Sequence, residues 1–350
     1  MTAPSKIVAD PSQAAAAPLL EVENLHVDFI SRAGRTPAVR DVSFGLAPGE
    51  VLCILGESGS GKSVTLRALM RLLPQGRSEI RGQVRFQGED VLKMPRRALN
   101  MLRGARISMI FQEPMTALDP VFTIGDQIAE TVIRHTGASR EKAMARALEL
   151  LELVRIPSAE RRLKAYPHEL SGGLRQRAMI AVSLSCYPQL LLADEPTTAL
   201  DATVQIQILI LLKQLQQDLG MGTIFVTHDL GVAAQIADKI AVMYAGRVVE
   251  YGSAEEVLLN PSHPYARGML ASTVSGQPRD RDIAAIPGSP PDMRNLPAGC
   301  AFAPRCAFAT DLCHRSEPGL TQRGAFGHVS CHHVHRLDPP APAGASVTTL

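Results

Sequence analysis

Val51-Leu52-Cys53-Ile54-Leu55-Gly56-Glu57-Ser58-Gly59-Ser60-Gly61-Lys62-Ser63-Val64 is the stretch on which the fold turns. Its first five residues are an unbroken apolar run, the pattern of a strand buried on both faces. Gly56 to Ser63 then fits the phosphate-loop pattern G-x-x-x-x-G-K-[ST] in full. Glycines let backbone N–H groups turn inward on a phosphate, and the following helix N-terminus adds the positive end of its dipole. Lys62 supplies a point charge to the outer phosphate oxygens, and Ser63 offers a hydroxyl to Mg²⁺. The apolar spacing predicts a helix over residues 64–73, stopped by Pro74. A glycine turn that carried Lys-Ser by accident would lack this strand and this helix.

Working outward, residues 20–29 and 38–46 read as strands, and the clearest amphipathic helix covers 139–156, with Ser139 as N-cap and Pro157 as stop. Apolar runs at 189–193 and 222–227 read as strands separated by a helix over 204–219, the α/β alternation of a parallel sheet. Ser253-Ala254-Glu255-Glu256 offers a capping box to a helix through Leu259. Residues 1–18, rich in Ala and Pro, read as a flexible arm. Beyond about residue 275 the chain turns Pro- and Cys-rich and loses its period, so a small second domain is expected, with a Pro/Ala tail over 338–350.

At 350 residues the chain is more than twice the ~150-residue domain prior, with room for one large domain and an appendage. Lys and Arg number 36 against 34 Asp and Glu, a net charge of +2. That balance gives no strong field toward nucleic acid or an anionic membrane surface. The longest uncharged stretch, 178–193, is shorter than a bilayer span needs and holds Ser183, Ser185, Pro188 and Gln189. The apolar patch at 14–20 is broken by Pro18 and followed by Glu21 and Glu23, a poor signal-peptide core, so a cytosolic chain is expected. In that reducing setting the six cysteines read as metal ligands or buried thiols rather than disulfides.

Two further motifs carry chemistry. Gln189-Leu190-Leu191-Leu192-Ala193-Asp194-Glu195 is an apolar strand ending in two carboxylates. Alone, that is an ordinary strand end with solvated charges. Beside a phosphate loop, Asp194 suits the Mg²⁺ shell through water, and Glu195 suits the base that polarises the water attacking a γ-phosphate. Leu170-Ser171-Gly172-Gly173-Leu174-Arg175-Gln176-Arg177 places a second glycine turn before a helix, another anion-binding N-terminus.

With these motifs in this order, the chain resembles the ATP-binding cassette (ABC) superfamily over roughly residues 19–270. The resemblance implies an α/β P-loop ABC ATPase cassette, with a mixed sheet core, a helical subdomain at about 113–175 and a small Cys-rich C-terminal extension. It implies that ATP meets Gly56, Glu57, Ser58, Gly59, Ser60, Gly61, Lys62, Ser63 and Val64, and that Phe29 stacks on adenine; a core phenylalanine is the other reading of Phe29. It implies that Gln112, in Phe111-Gln112-Glu113-Pro114, joins Ser63 and Asp194 around Mg²⁺ and reaches the attacking water, the other reading being a surface glutamine at a turn. His228, in Val226-Thr227-His228-Asp229, resembles the switch histidine on the γ-phosphate. Ser171, Gly172, Gly173 and Gln176 resemble the signature that faces a partner's ATP, and Asp201 the loop that crosses to that partner. One set of elements implies a dimer with a second cassette, expected to be a paralogue.

The segment between Lys62 and Ser171 is too short for the long coiled coil of chromosome-repair relatives. One cassette and no fused membrane spans point instead to a separate importer ATPase. Gln112-Glu113-Pro114-Met115-Thr116-Ala117-Leu118-Asp119-Pro120, Tyr166-Pro167-His168-Glu169-Leu170-Ser171 and Asn260-Pro261-Ser262-His263-Pro264-Tyr265 resemble the oligopeptide/dipeptide branch. That branch implies two multispanning permease subunits gripped through residues 115–128, an extracytoplasmic peptide-binding protein, and a peripheral place on the cytoplasmic face of the inner membrane. It also implies a [4Fe–4S] cluster on Cys300, Cys306, Cys313 and Cys331, in an extension over 271–337. The cysteine spacing itself leaves zinc open, with His314, His328, His332 or His333 as substitutes, and also no metal. Cys53 and Cys186 read as buried packing residues in a strand and a helix. The competing functions are a nickel or other small-solute importer, a soluble ABC ATPase acting on nucleic acid or the ribosome, and a redox sensor built on the cysteines.

Overall fold

The computed structural model describes residues 17–32, 34–198, 200–272, 285–324 and 326–335. The expected arm and tail lie outside them, apart from residues 17 and 18, as does the chain on either side of the expected boundary near 275.

All five residues of the strand Val51–Leu55 are buried. It sits inside a sheet ordered Thr321–Arg323, Gly327–Val329, Arg247–Ser253, Lys239–Tyr244, Val51–Leu55, Gly222–Thr227, Leu190–Asp194, Ile107–Ile110. From Lys239–Tyr244 to Ile107–Ile110 the pairing is parallel, and helices cover this part, which is why its strands carry continuous apolar runs rather than alternation. Register then positions the site. Leu55 pairs Thr227 and Asp194 pairs Val226, so the chain after each of these strands emerges at one edge, where α/β sheets bind ligands. A four-stranded antiparallel sheet, ordered Gly34–Leu46, Leu20–Ser31, Ser78–Phe86, Glu89–Asp90, closes over the opposite core face through Leu20, Val22, Leu25, Val27 and Phe44.

The helix after the phosphate loop covers Lys62–Leu69, shorter than the spacing predicts. Arg71 takes a left-handed φ of 51°, and Arg103 donates to the carbonyls of Met70 and Arg71 at 2.6–2.9 Å. The helix end is thus capped from a distant residue, and the chain turns before Pro74 is reached.

The helical layer comprises Pro114–Ala117, Ile124–Thr136, Arg140–Leu153, Ala159–Leu163 and Gly172–Ser183. Ser139 caps Arg140–Leu153 as expected, accepting from the Lys142 N–H. Ala129 and Val132 of one helix pack on Ala143 of the next. The capping box at Ser253 and Glu256 forms, with both reciprocal bonds.

The C-terminal region shares the sheet and the core of the rest. Gly327–Val329 pairs antiparallel with Arg247–Ser253, and Phe302 lies in the main apolar cluster, with Ile286, Leu296 and Cys300 packed against it. Glu250 holds the turn into the helix Pro264–Ala271 by accepting the backbone N–H groups of Ser262 and His263 at 2.7 and 2.8 Å. Burial pushes its carboxyl up to about 7 against the pull of those two bonds. Among the described residues no helix is long and apolar enough to cross a membrane.

Candidate functional site

Residues 56–63 wrap the edge at which Leu55, Asp194 and Thr227 end. Gly56 has φ 155° and Gly61 φ 103°. A Cβ on Gly56 would collide with the Met243 carbonyl, and one on Gly61 with that of Ala38. Both positions therefore exclude other residues on space, and Gly61 also on backbone angle.

Lys62 is 4% exposed. Its Nζ donates to the carbonyls of Gly56 and Glu57 at 2.7 and 2.9 Å and lies 4.0 Å from Glu195 Oε1. Burial pulls its pKa down, while Glu195, Asp194 and Glu57 hold the proton on. Ser63 Oγ donates to Asp194 Oδ1 at 2.6 Å. Asp194 is fully buried and its Oδ2 has no hydrogen-bond partner, so burial raises its pKa despite the Ser63 bond. Arg67 Nη2 lies 3.9 Å from that Oδ2, and a buried carboxylate oxygen without a hydrogen bond beside a serine hydroxyl is the donor set a hard divalent cation takes.

Glu195 carries the most strained backbone in the site, with φ 45°. Its N–H donates to the Val226 carbonyl at 3.0 Å, so the neighbouring strand enforces the angle. Its Oε2 accepts from Thr198 Oγ1 at 2.9 Å and lies 3.4 Å from His228 Nδ1. The cleft in front of these groups has a volume of about 1080 Å³ and is lined by Phe29, residues 56–64, Gln112, Glu195 and His228. Phe29 is half-buried and also packs on the second core.

The signature residues are not in this cleft. Ser171 Oγ accepts the Leu174 N–H at 3.4 Å as N-cap of Gly172–Ser183. A Cβ on Gly173 would meet Val204 Cγ1 at 2.9 Å, so the signature turn is seated on the start of the helix Ala202–Leu219. Asp201 caps that helix, accepting the Val204 N–H at 3.0 Å. Gln176 is buried behind the turn, with its Nε2 unpartnered. One chain thus carries two glycine turns that open helices, of which only residues 56–63 line the cleft.

Sequence reasoning missed a whole wall of the cleft. Met269, Ser272, Ala285, Ile286 and Met293 line it from the C-terminal side. No motif marks these residues, all apolar but Ser272, and only the shared core brings them there.

Cys300, Cys306, Cys313 and Cys331 do converge, lining one pocket of about 20 Å³ with His332 and His333. That is room for a single water. His333 Nε2 lies 3.4 Å from Cys313 Sγ, and the His333 N–H donates to Cys331 Sγ at 3.4 Å. Burial pushes Cys300 up to about 11 and raises Cys306 and Cys331 as well. Among the described residues no three His, Cys, Asp or Glu side chains are grouped closely enough to hold a metal ion. The four cysteines of the expected [4Fe–4S] site thus share one pocket but, as described, lack the close spacing of a ligand cage. His314 is exposed and His328 stacks on Tyr251, neither lining that pocket. Cys53 is buried in its strand, whereas Cys186 lies in the turn after a helix and is half-buried.

Known proteins extend this geometry. The sequence pattern described as ABC transporter matches residues 39–198, and that described as oligopeptide/dipeptide transporter, C-terminal region, matches 249–313. The oligopeptide transport ATP-binding protein OppD of Bacillus subtilis is 45% identical over 95% of this chain and 94% of its own. The dipeptide transport ATP-binding protein DppD of the same organism is 46% identical over 89% of this chain and 94% of its own. Among solved structures, the dimeric ATP-binding cassette MJ0796 bound to ADP and Pi superposes with a TM-score of 0.61 at 30% identity, over 67% of this chain and 98% of that one. With 45–46% identity over nearly the whole length of two such subunits, and both family patterns met in order, the chain belongs to the ATP-hydrolysing cassettes of the oligopeptide/dipeptide ABC transporter family.

Proposed function

We propose that this chain is the ATPase that powers uptake of di- or oligopeptides through an ABC permease, from the cytoplasmic face of the inner membrane. The observation that carries the reading is the separation of its two anion-binding turns. The phosphate loop opens on the cleft, while the turn at 171–173 faces elsewhere, so each ATP would be closed over by the signature of a second cassette. ATP binding then closes the pair, and hydrolysis reopens it, an allosteric use of phosphoryl transfer.

In this reading residues 19–270 form the cassette, with 113–175 as its helical subdomain, and 271–337 form the extension. The loop residues 56–64 cradle the phosphates, Phe29 meets the base, and Lys62 neutralises the outer oxygens. Ser63, Asp194 and Gln112 would hold Mg²⁺, which supplies charge neutralisation at the phosphates. Glu195 takes the proton of the attacking water, oriented by Thr198. His228, within reach of the same carboxylate, senses the γ-phosphate. Ser171, Gly172, Gly173, Gln176 and Asp201 serve the partner's ATP.

Met115, Val121 and Phe122 are 52%, 70% and 52% exposed, an apolar cluster that supports residues 115–128 as the grip on the permease. Affinity purification of the tagged chain from detergent-solubilised membranes should recover two permeases, a second cassette and, through them, an extracytoplasmic peptide-binding protein. Recovery only in the soluble fraction, with ribosomes or nucleic acid, would overturn transport and leave the ATPase standing.

The four gathered thiols support a [4Fe–4S] site in the extension. Iron and acid-labile sulfide near four each per chain after anaerobic purification, lost in Cys306→Ser, are the expected result. Stoichiometric zinc, or no metal, would remove the cluster.

A further inference from the structure

Arg305 lies in the turn Ala303–Arg305, between Cys300 and Cys306, and is 7% exposed. Its guanidinium reaches across to the phosphate loop. Nη1 and Nη2 donate to Glu57 Oε2 and Oε1 at 2.7 and 3.0 Å, a two-pronged pairing. Nε donates to the Pro287 carbonyl at 2.8 Å, and Nη1 also to Tyr244 Oη at 3.3 Å.

The rest of Glu57 is held as firmly. Its N–H donates to Tyr265 Oη at 2.8 Å, and its carbonyl accepts from Lys62 Nζ at 2.9 Å. Tyr265 is fully buried and packs on Tyr244 and Phe302. The Glu57 carbonyl also accepts the Ser60 N–H at 3.2 Å, so two of the four anchors on this loop residue, Tyr265 and Arg305, come from chain beyond residue 260. The side chain of Ser60, at the loop's crown, adds no hydrogen bond, its Oγ being buried without a partner.

We propose that Arg305 is a positioning residue for ATP binding, which holds Glu57 and neutralises its carboxylate so that the phosphate loop can accept a polyanion. This rests on the phosphate-loop reading above. The physical reason is twofold. A planar guanidinium fixes both oxygens of a carboxylate and with them the direction of the Glu57 peptide. Without it, a carboxylate on the second residue of the loop would face the incoming phosphates as an unpaired like charge. The plainer alternative is an ion pair that merely ties the C-terminal region down.

The two differ in the sign of a double-mutant cycle. ATP affinity of the full chain would be measured with a fluorescent ATP analogue, and KM and kcat determined separately. Arg305→Gln should weaken binding and raise KM by about 10-fold or more, the scale of one lost charge pair, with a much smaller change in kcat. Arg305→Lys, which keeps the charge and loses the fork, should fall between. Adding Glu57→Gln to Arg305→Gln should restore most of the affinity, because the unpaired carboxylate is gone.

A tie-down would show no such recovery. Wild-type affinity in Arg305→Gln, an equal loss in the double variant, or failure of both to fold would each overturn the assignment. Lys62→Ala separates this from failure of the loop reading: unimpaired nucleotide binding there removes the phosphate loop itself, whereas a loss there beside normal Arg305→Gln removes only the role of Arg305.

Discussion

Glu195→Gln is expected to slow ATP hydrolysis by about 10²–10⁴-fold, the contribution of a positioned general base, while ATP still binds and still drives dimerisation. Glutamine keeps the length and planarity of the side chain, so the hydrogen bond from Thr198 Oγ1, 2.9 Å in the native site, has an oxygen to go to. The strained backbone, φ 45°, is enforced by the Val226 carbonyl and is untouched by the change. What is lost is the ability to take a proton from water. The negative charge 4.0 Å from Lys62 Nζ also disappears, which reduces repulsion toward ATP rather than adding to it. Phosphate release and size-exclusion chromatography with Mg·ATP check the two halves. A variant that turns over at near-normal rate would remove Glu195 from the base role, and one that neither hydrolyses nor dimerises would mean that the carboxylate mainly supports the fold.

The parts of this site that could be read in the chain are those where chemistry and backbone geometry coincide. Gly56 and Gly61 stand where a Cβ has no space, Lys62 bonds to the loop's own carbonyls and Ser63 to Asp194, so a short motif encodes a local structure. The parallel strands were equally legible, because Val51–Leu55 and Gly222–Thr227 are buried along their whole length. Less legible was anything that depends on distant packing. The helix end at Leu69 is set by Arg103, thirty-odd residues away in the chain. The cleft wall of Met269, Ile286 and Met293 exists only because the C-terminal region joins the sheet beside Arg247–Ser253. Arg305, 248 residues from Glu57, has no local signature at all. The thiols were found by count and spacing, yet their distances depend on how Thr310, His333 and the turn at Ala303–Arg305 pack around them, which spacing does not encode.

Lys62→Ala is expected to weaken ATP binding by well over 10-fold, and the physical setting of the lysine explains why the loss should be large. A cation that is 4% exposed has surrendered most of its hydration and is kept charged by Glu195, Asp194 and Glu57 against the pull of burial. Its field is therefore weakly screened where the phosphates enter, and truncation removes the one buried positive charge facing Asp194 and Glu195 among the described residues. Those carboxylates would then oppose the polyanion directly. Without nucleotide the change costs the fold less, since the carbonyls of Gly56 and Glu57 that accept from Nζ can turn to water in the open cleft. The clean measurement is thus the ATP-dependent rise in melting temperature. Ligand stabilisation follows RT ln(1 + [L]/Kd), about 2.7 kcal/mol at a hundredfold excess over Kd, so wild type should gain several degrees at millimolar ATP and Lys62→Ala almost none. An equal gain in both would show that the phosphates are held by the backbone amides and the helix N-terminus alone, and Lys62 would then serve only to tie down the loop. A fall in melting temperature without ATP as large as the lost gain would point the same way, because a lysine whose main bonds are to carbonyls of its own loop would be structural.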